Sequence, residues 1–220
     1  MASAGTESRT SITIGERLRR KPALVSKVRR LDDTLVEIFG KKTPIDWELS
    51  GEEPENWLSL HVGAPGTGEC TRYPPEALLE NTSELKSILL NMKECLQVVQ
   101  QYLSELEQLY QQIRTWLSQA RPAYQVEEAP TTVEEVLAGN YTAKKLLIRF
   151  RKKEVEVLPR GAWWVTTEGR VDLVEEENAE HQLILSRPEG GWLWVQERPR
   201  VALHPLTAEL FIKLVKDCMG

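Results

Sequence analysis

LKSILLNMKECLQVVQQYLSELEQLYQQIRTWL, residues 85–117, decides the fold. Leu85, Leu89, Met92, Leu96, Val99, Leu103, Leu106, Tyr110, Ile113 and Leu117 alternate steps of four and three without a miss. Strict alternation of four and three repeats every seven residues, or 3.5 per turn, the coiled-coil repeat rather than the 3.6 of a straight helix. Ile88, Cys95, Tyr102, Leu109 and Trp116 recur every seven residues beside that seam. The apolar stripe is therefore three of seven positions wide, more than the two that a two-stranded coil buries. A bundle, a higher oligomer or another docked element is expected to cover it. Asn81 to Glu84 is a cap-like start and Arg121-Pro122 a stop. The resulting helix over 82–119 would be about 55 Å long at 1.5 Å per residue. Its outward positions, among them Ser87, Gln97, Gln101, Ser104 and Gln108, are neutral, so charge specifies a partner only weakly.

A second apolar series lies upstream. Pro22 opens it as a first helical residue, Leu24, Val28, Leu31, Leu35 and Ile38 continue it, and Gly40 ends it. One helix over 22–39 is expected, a natural cover for the long one. Residues 1–21 read as a disordered basic tail, beginning with the small polar run 1–11. Residues 41–74, with Pro44, Pro54, Pro65 and Pro74, read as a long irregular loop within the helical region 22–121. Residues 122–142 read as a linker with a short helix at Thr132–Ala138.

After residue 142 the period changes from helical to alternating. Strands are expected at Lys145–Arg151, Glu154–Leu158, Ala162–Thr167, Arg170–Val174, His181–Arg187, Trp192–Glu197 and Arg200–Leu203. Glu168-Gly169 and Pro188–Gly191 supply turns, and Leu206–Met219 is a closing helix with Leu206, Leu210, Phe211, Leu214 and Val215 on one face. The fold class is thus α+β: an N-terminal helix and a long coiled-coil-like helix, then a small antiparallel β-sandwich or barrel over 143–220, capped by a helix. In element order alone this resembles a pleckstrin-homology arrangement.

Composition narrows the class. With 41% apolar and 28% charged residues in 220, the chain is that of an ordinary globular protein. No apolar run approaches the roughly 18–20 residues of a membrane-spanning helix. Three scattered cysteines, Cys70, Cys95 and Cys218, fit a reducing compartment better than a disulfide framework. Residues 1–30 are rich in Ser and Arg, as transit peptides are, but Glu7 and Glu16 oppose that reading. An intracellular protein, cytoplasmic or nuclear, is expected, with organelle targeting left open. The net charge of −5 is unevenly spread: +5 over residues 1–43, −11 over 44–142 and +1 over 143–220.

Chemistry-bearing patterns are sparse. Gly63-Ala64-Pro65-Gly66-Thr67-Gly68-Glu69-Cys70 has the glycine spacing of a phosphate loop after a candidate strand Leu58–Val62. It carries Glu69 and Cys70 where that loop needs a lysine for the phosphates and a hydroxyl for magnesium. His61, His181 and His204 have no metal-ligand spacing. No nucleophile–base–acid set stands out, so no catalytic, cofactor or metal residues are assigned and no small-molecule substrate is inferred. Arg17, Arg19, Arg20, Lys21, Lys27, Arg29 and Arg30 put seven cations within fourteen residues, enough to contact a polyanion, though no aromatics interleave for stacking. A second cluster, Lys144, Lys145, Arg149, Arg151, Lys152 and Lys153, lies on the first expected strand and its turn. Trp192 and Trp194 are expected in the core of a buried central strand. The sequence therefore leads to a non-enzymatic adaptor or scaffold subunit, joined to itself or a protein partner through Leu85–Leu117 and presenting a β domain for protein binding. The alternative is a nucleic-acid-associated factor using residues 17–30.

Overall fold

The computed structural model describes residues 12–51, 57–63, 70–72, 76, 79, 81–121, 123–135, 138–162, 168–175, 178–186, 191–196 and 200–220. The expected tail 1–11, most of the glycine-rich segment 63–70, the strand Ala162–Thr167 with Trp163 and Trp164, and most of the Pro188–Gly191 turn lie outside them. The chain divides into two compact units: residues 1–97 with 138–141, and residues 98–137 with 142–220.

The first unit holds β1 (Ile12–Ile14), α1 (Glu16–Arg19), α2 (Pro22–Arg29), α3 (Asp32–Phe39), β2 (Ile45–Ser50), β3 (Trp57–Val62), β4 (Cys70–Arg72) and the first part of α4 (Thr82–Gln119). Its sheet has the order β1-β2-β3-β4. β1 runs parallel to β2, with the helices α1 to α3 between them in sequence, as a parallel pair requires a long crossover. β2 pairs with β3 and β3 with β4 in antiparallel fashion.

Three expectations are corrected here. Residues 12–20 are not a disordered tail: Ile14 and Leu18 are buried, and Gly15 N–H donates to the Trp47 carbonyl at 2.7 Å. Residues 41–74 are not one irregular loop, because Ile45, Trp47 and Leu49 alternate inward on β2 while Leu58, Leu60 and Val62 do so on β3. Helix 22–39 is two helices, parted at Arg30–Leu31. The apolar series Val28, Leu31, Leu35 and Ile38 stays buried across the break. Charge explains the parting: Lys27 and Arg29 end α2, where the helix dipole favours cations, while Asp32 and Asp33 begin α3, where it favours anions. Arg29 and Asp32 pair across the junction at 3.0 Å.

The second unit contains β5 (Gln125–Glu135), β6 (Gly139–Phe150, from residue 142), β7 (Lys153–Gly161), β8 (Arg170–Glu175), β9 (Asn178–Ser186), β10 (Gly191–Gln196), β11 (Ala202–Pro205), α5 (Ala208–Met219) and the later part of α4. The seven strands form one sheet of order β11-β10-β9-β8-β7-β6-β5, and the pairings between β6 and β11 are antiparallel. No closed barrel and no second facing sheet occur among the described residues, which corrects the sandwich, barrel and pleckstrin-homology-like expectations. Helices supply the second layer instead. Leu106, Leu109, Tyr110, Ile113 and Leu117 of α4 and Phe211, Leu214, Val215, Cys218 and Met219 of α5 pack in one cluster with Leu146, Ile148, Val155, Val157, Val171, Leu173 and Leu183 of the sheet.

The linker 122–142 is likewise corrected. Of the expected helix Thr132–Ala138, residues 132–135 are strand: Thr131, Thr132 and Val133 are a β-branched run suited to a strand, and Pro130 is tolerated because β5 is an edge. Trp192 and Trp194 pack against the same cluster, partly buried, on a strand one in from the edge rather than central. Thr207 caps α5, its Oγ1 accepting from Leu210 N–H at 3.2 Å.

Two tyrosines tie α4 to the sheet. Tyr102 donates its hydroxyl to the Arg170 carbonyl at 2.8 Å, and Tyr110 donates to the Lys144 carbonyl at 2.7 Å, with the Val157 carbonyl at 3.3 Å. Burial raises both phenols far above the ordinary tyrosine range. A folded-state pKa raised in this way contributes stability that is fully present below the unfolded value, about 10, and is lost as pH rises beyond it. Chemical denaturation should therefore show stability falling steeply above about pH 10. Tyr102→Phe with Tyr110→Phe should flatten that fall while costing about 1 kcal/mol per hydrogen bond at neutral pH. An unchanged alkaline slope in the double variant would refute the assignment.

Candidate interaction surfaces

The seam of α4 is already covered. Nine of its ten expected contact residues, all but Leu103, are buried in the single chain, and Leu103 is half-buried against the α4–α5–sheet cluster. Of the flanking stripe, Tyr102 and Leu109 are buried while Ile88, Cys95 and Trp116 are half-buried. The start of the helix is as expected, with Asn81 Oδ1 accepting from Glu84 N–H and Asn81 Nδ2 donating to the Glu84 carboxylate. From Tyr102 onward the extra width of the stripe thus serves the sheet and α5 of the second unit.

The basic segment 17–30 is distributed over α1, α2 and their junctions. Arg19 donates to the Ile14 carbonyl at 2.7 Å, Arg20 pairs with Glu16 at 2.5 Å, Lys27 with Glu76 at 3.1 Å and Arg29 with Asp32. Arg17, Lys21 and Arg30 are exposed. At least three of the seven cations are thus matched to carboxylates of the chain itself, which lowers the positive potential this segment offers a polyanion.

The second basic cluster divides in space. Lys144 pairs with Glu128 at 2.8 Å, and Arg114 meets the same carboxylate, so hydrogen bonds from Lys144 and Arg114 hold Glu128 below the usual carboxylate range. Lys145 pairs with Glu156 at 2.5 Å. Arg149 pairs with Glu127 at 2.5 Å and also with Glu154. Arg151 and Lys152, at the tip of the β6–β7 hairpin, are exposed, and Lys153 lies 3.9 Å from Glu175. Glu127 and Glu128, which fall in the expected linker 122–142, answer Arg149 and Lys144 from β5.

Asp172 is the conspicuous buried charge of the second unit, 1% exposed on the sheet face opposite the helices. Its Oδ2 accepts from Arg160 Nε at 2.7 Å and Arg170 Nη2 at 3.1 Å, and its Oδ1 from Arg170 Nε at 2.7 Å. With both oxygens engaged it clamps β7 to β8. The histidines take similar structural roles. His204 stacks on Trp194 at 5.3 Å and shares a 2.9 Å hydrogen bond with Gln196, His181 meets the edge of Trp194 at 5.9 Å, and His61 lies on β3 beside Ser59. Among the described residues no group of His, Cys, Asp and Glu could hold a metal ion, and no helix is long and apolar enough to cross a membrane. β3 leads on to the strand β4 rather than to a helix whose N-terminus could face a phosphate.

Two surfaces of the second unit stand out among the described residues, the second of them containing part of the basic cluster that the sequence shows. One is the edge strand β11, where Val201 and Leu203 are 76% and 50% exposed. The other is a cavity of about 660 Å³ floored by Tyr124, Phe150 and Met219 and rimmed by Arg151, Lys152, Lys153 and Lys216. The expected outcome for the clamp is measurable by urea denaturation: Asp172→Ala should cost about 3 kcal/mol by leaving Arg170 without its carboxylate, whereas Arg160→Ala should cost under about 1 kcal/mol. Compared with known proteins, the chain matches no family model, no curated protein and no solved structure at a significant level.

Proposed function

We propose that this protein is a non-enzymatic adaptor or scaffold subunit whose β domain accepts a partner chain as an added strand along β11. The observation that carries the reading is the exposure of Val201 and Leu203, since large apolar side chains elsewhere among the described residues are exposed only at Trp57 and Leu90. The backbone favours the same surface. Leu206 N–H donates inward to the Trp192 carbonyl, and the β10–β11 register continues as Trp194↔His204 and Gln196↔Ala202. In an antiparallel pair the hydrogen-bonding residues alternate. Leu203 therefore turns its own N–H and carbonyl away from β10, along the sheet edge. Such an edge templates pairing with another chain, and an exposed leucine gives the incoming strand an apolar neighbour. Pro205 has no N–H to offer and would end that pairing.

Association through the α4 seam, the route its heptads suggest, would require a partner to displace the chain's own layers. The reading therefore moves the interface from the helix to the sheet edge. Light scattering of the full chain is accordingly expected to give a monomer. Leu203→Pro removes the outward N–H at a strand edge that tolerates proline, and Leu203→Lys repels apolar pairing. Both should lose the partners that co-purify with the unaltered chain from its native cell, while circular dichroism melting stays within a few degrees. Retention of the same partners by both variants would sink the reading.

The nucleic-acid reading is separated from it by charge reversal of Arg19, Arg20, Arg29 and Arg30. An adaptor keeps its partners through that change. A polyanion-binding factor would show salt-dependent oligonucleotide binding that the reversal abolishes.

A further inference from the structure

The β6–β7 hairpin and α5 enclose a site that the adaptor reading does not use. Phe150 and Lys153 pair across a two-residue turn formed by Arg151 and Lys152. Arg151 sits at φ 57, the left-handed region that glycine or asparagine occupies at lower cost. Its guanidinium lies 5.1 Å over the Phe150 ring, a cation–π contact that holds the charge at the cavity mouth. Tyr124 meets Phe150 at 5.7 Å with the rings inclined by 53°. Met219 completes the apolar floor, and Lys152, Lys153 and Lys216 complete the rim. No acidic side chain lines this cavity among the described residues. The neighbouring cations Lys144, Lys145 and Arg149 are each matched to carboxylates, Lys153 lies 3.9 Å from Glu175 and beside the lining residue Gly220, and the charges the rim offers a ligand are those of Arg151, Lys152 and Lys216.

From this we infer that the cavity binds an acidic peptide segment through one apolar anchor residue, with the flanking carboxylates meeting Arg151, Lys152 and Lys216. Charge complementarity selects an anionic partner, and the floor selects its chemistry. Two rings inclined to one another, one with a face already covered by Arg151, do not make a flat platform for successive bases. A thioether that shares the floor with two aromatic rings is instead an adaptable socket for an aliphatic or aromatic side chain. A phosphate-bearing headgroup would be met by the rim alone and would leave that apolar floor unfilled.

The site is distinct from β11, so its test and that of the adaptor reading fail separately. Fluorescence anisotropy with the full chain would use a labelled peptide in which Asp and Glu flank a single Leu. Binding is expected, weakening as salt is raised. Replacing the peptide's Leu by Ser, or its acids by Asn and Gln, should each weaken binding about tenfold or more. The Lys152→Glu, Lys216→Glu double variant should do the same, and a Lys-flanked Leu peptide should then bind that variant better than the unaltered chain. Both positions are solvent-exposed, so melting should not change. Leu203→Pro should leave the affinity as it was. The inference is overturned if no acidic peptide binds at low salt, or if binding ignores the peptide's Leu or the two lysines. It is also overturned if oligothymidylate or phosphoinositide-containing vesicles bind more tightly than the peptide with the same dependence on Lys152 and Lys216.

Discussion

Tyr110 reaches from α4 to the carbonyls of Lys144 and Val157, and around it Leu106, Leu109, Ile113 and Leu117 meet the sheet and α5 in one apolar cluster. Full burial of a side chain of this kind is worth about 1.5–3 kcal/mol. Four such leucine and isoleucine side chains therefore contribute about as much as the whole net stability of a typical domain, 5–15 kcal/mol. The stripe cannot be lent to a partner helix while the second unit stays folded. This constraint directs attention away from the most regular feature of the sequence and toward its least regular ones, an edge strand and a hairpin tip.

Periodicity makes α4 legible because a helix is a local object. Its apolar residues, its Asn81–Glu84 cap and its end near Arg121-Pro122 all lie within one stretch, and the observed Thr82–Gln119 follows from them. What the repeat does not encode is the identity of the cover. A stripe three residues wide in seven suits a helical bundle, but it also suits a sheet with a second helix beside it. The later strands were legible for the same local reason, since Leu146/Ile148 and Val155/Val157 alternate cleanly. β1, β2 and β5 were not, and β3 was read only as the candidate strand Leu58–Val62 ahead of the glycine-rich segment. Three residues at Ile12–Ile14 become a strand only by lying parallel to Ile45–Trp47, a pairing between segments about thirty residues apart in sequence. β2 and β3 carry a normal inward alternation, but the prolines and glycines around them read as loop.

Charge shows a similar limit. Lys144, Lys145, Arg149, Arg151, Lys152 and Lys153 form one basic cluster on paper, and Glu127 and Glu128 a remote acidic pair. Folding lays β5 where those carboxylates meet Lys144 and Arg149, and β7 where Glu156 and Glu154 meet Lys145 and Arg149. Exposed ion pairs of this sort add little stability, about 0–1 kcal/mol each. Their consequence is subtraction: of this cluster they leave Arg151 and Lys152, at the hairpin tip, as the exposed charges to which no carboxylate is matched among the described residues. The candidate site was therefore hidden in the sequence by an excess of signal rather than by its absence.

The geometry of the sheet bears on how two such surfaces would be used. In the order β11-β10-β9-β8-β7-β6-β5, three strands separate β11 from β7. At about 4.8 Å between neighbouring strands, the two outer ones lie roughly 19 Å apart. An added strand at β11 is too narrow to reach the hairpin cavity, and a single anchor residue in the cavity does not touch the edge. Two contacts on one rigid sheet favour either two different partners held at a fixed spacing or one partner with two short segments on a linker. In the second case the first contact raises the effective concentration of the other segment, and two weak sites yield a tight complex without any new interaction. A scaffold subunit of the kind proposed would gain from either arrangement, because the seven-stranded sheet, held by the α4 cluster, would fix the distance between the two proposed sites.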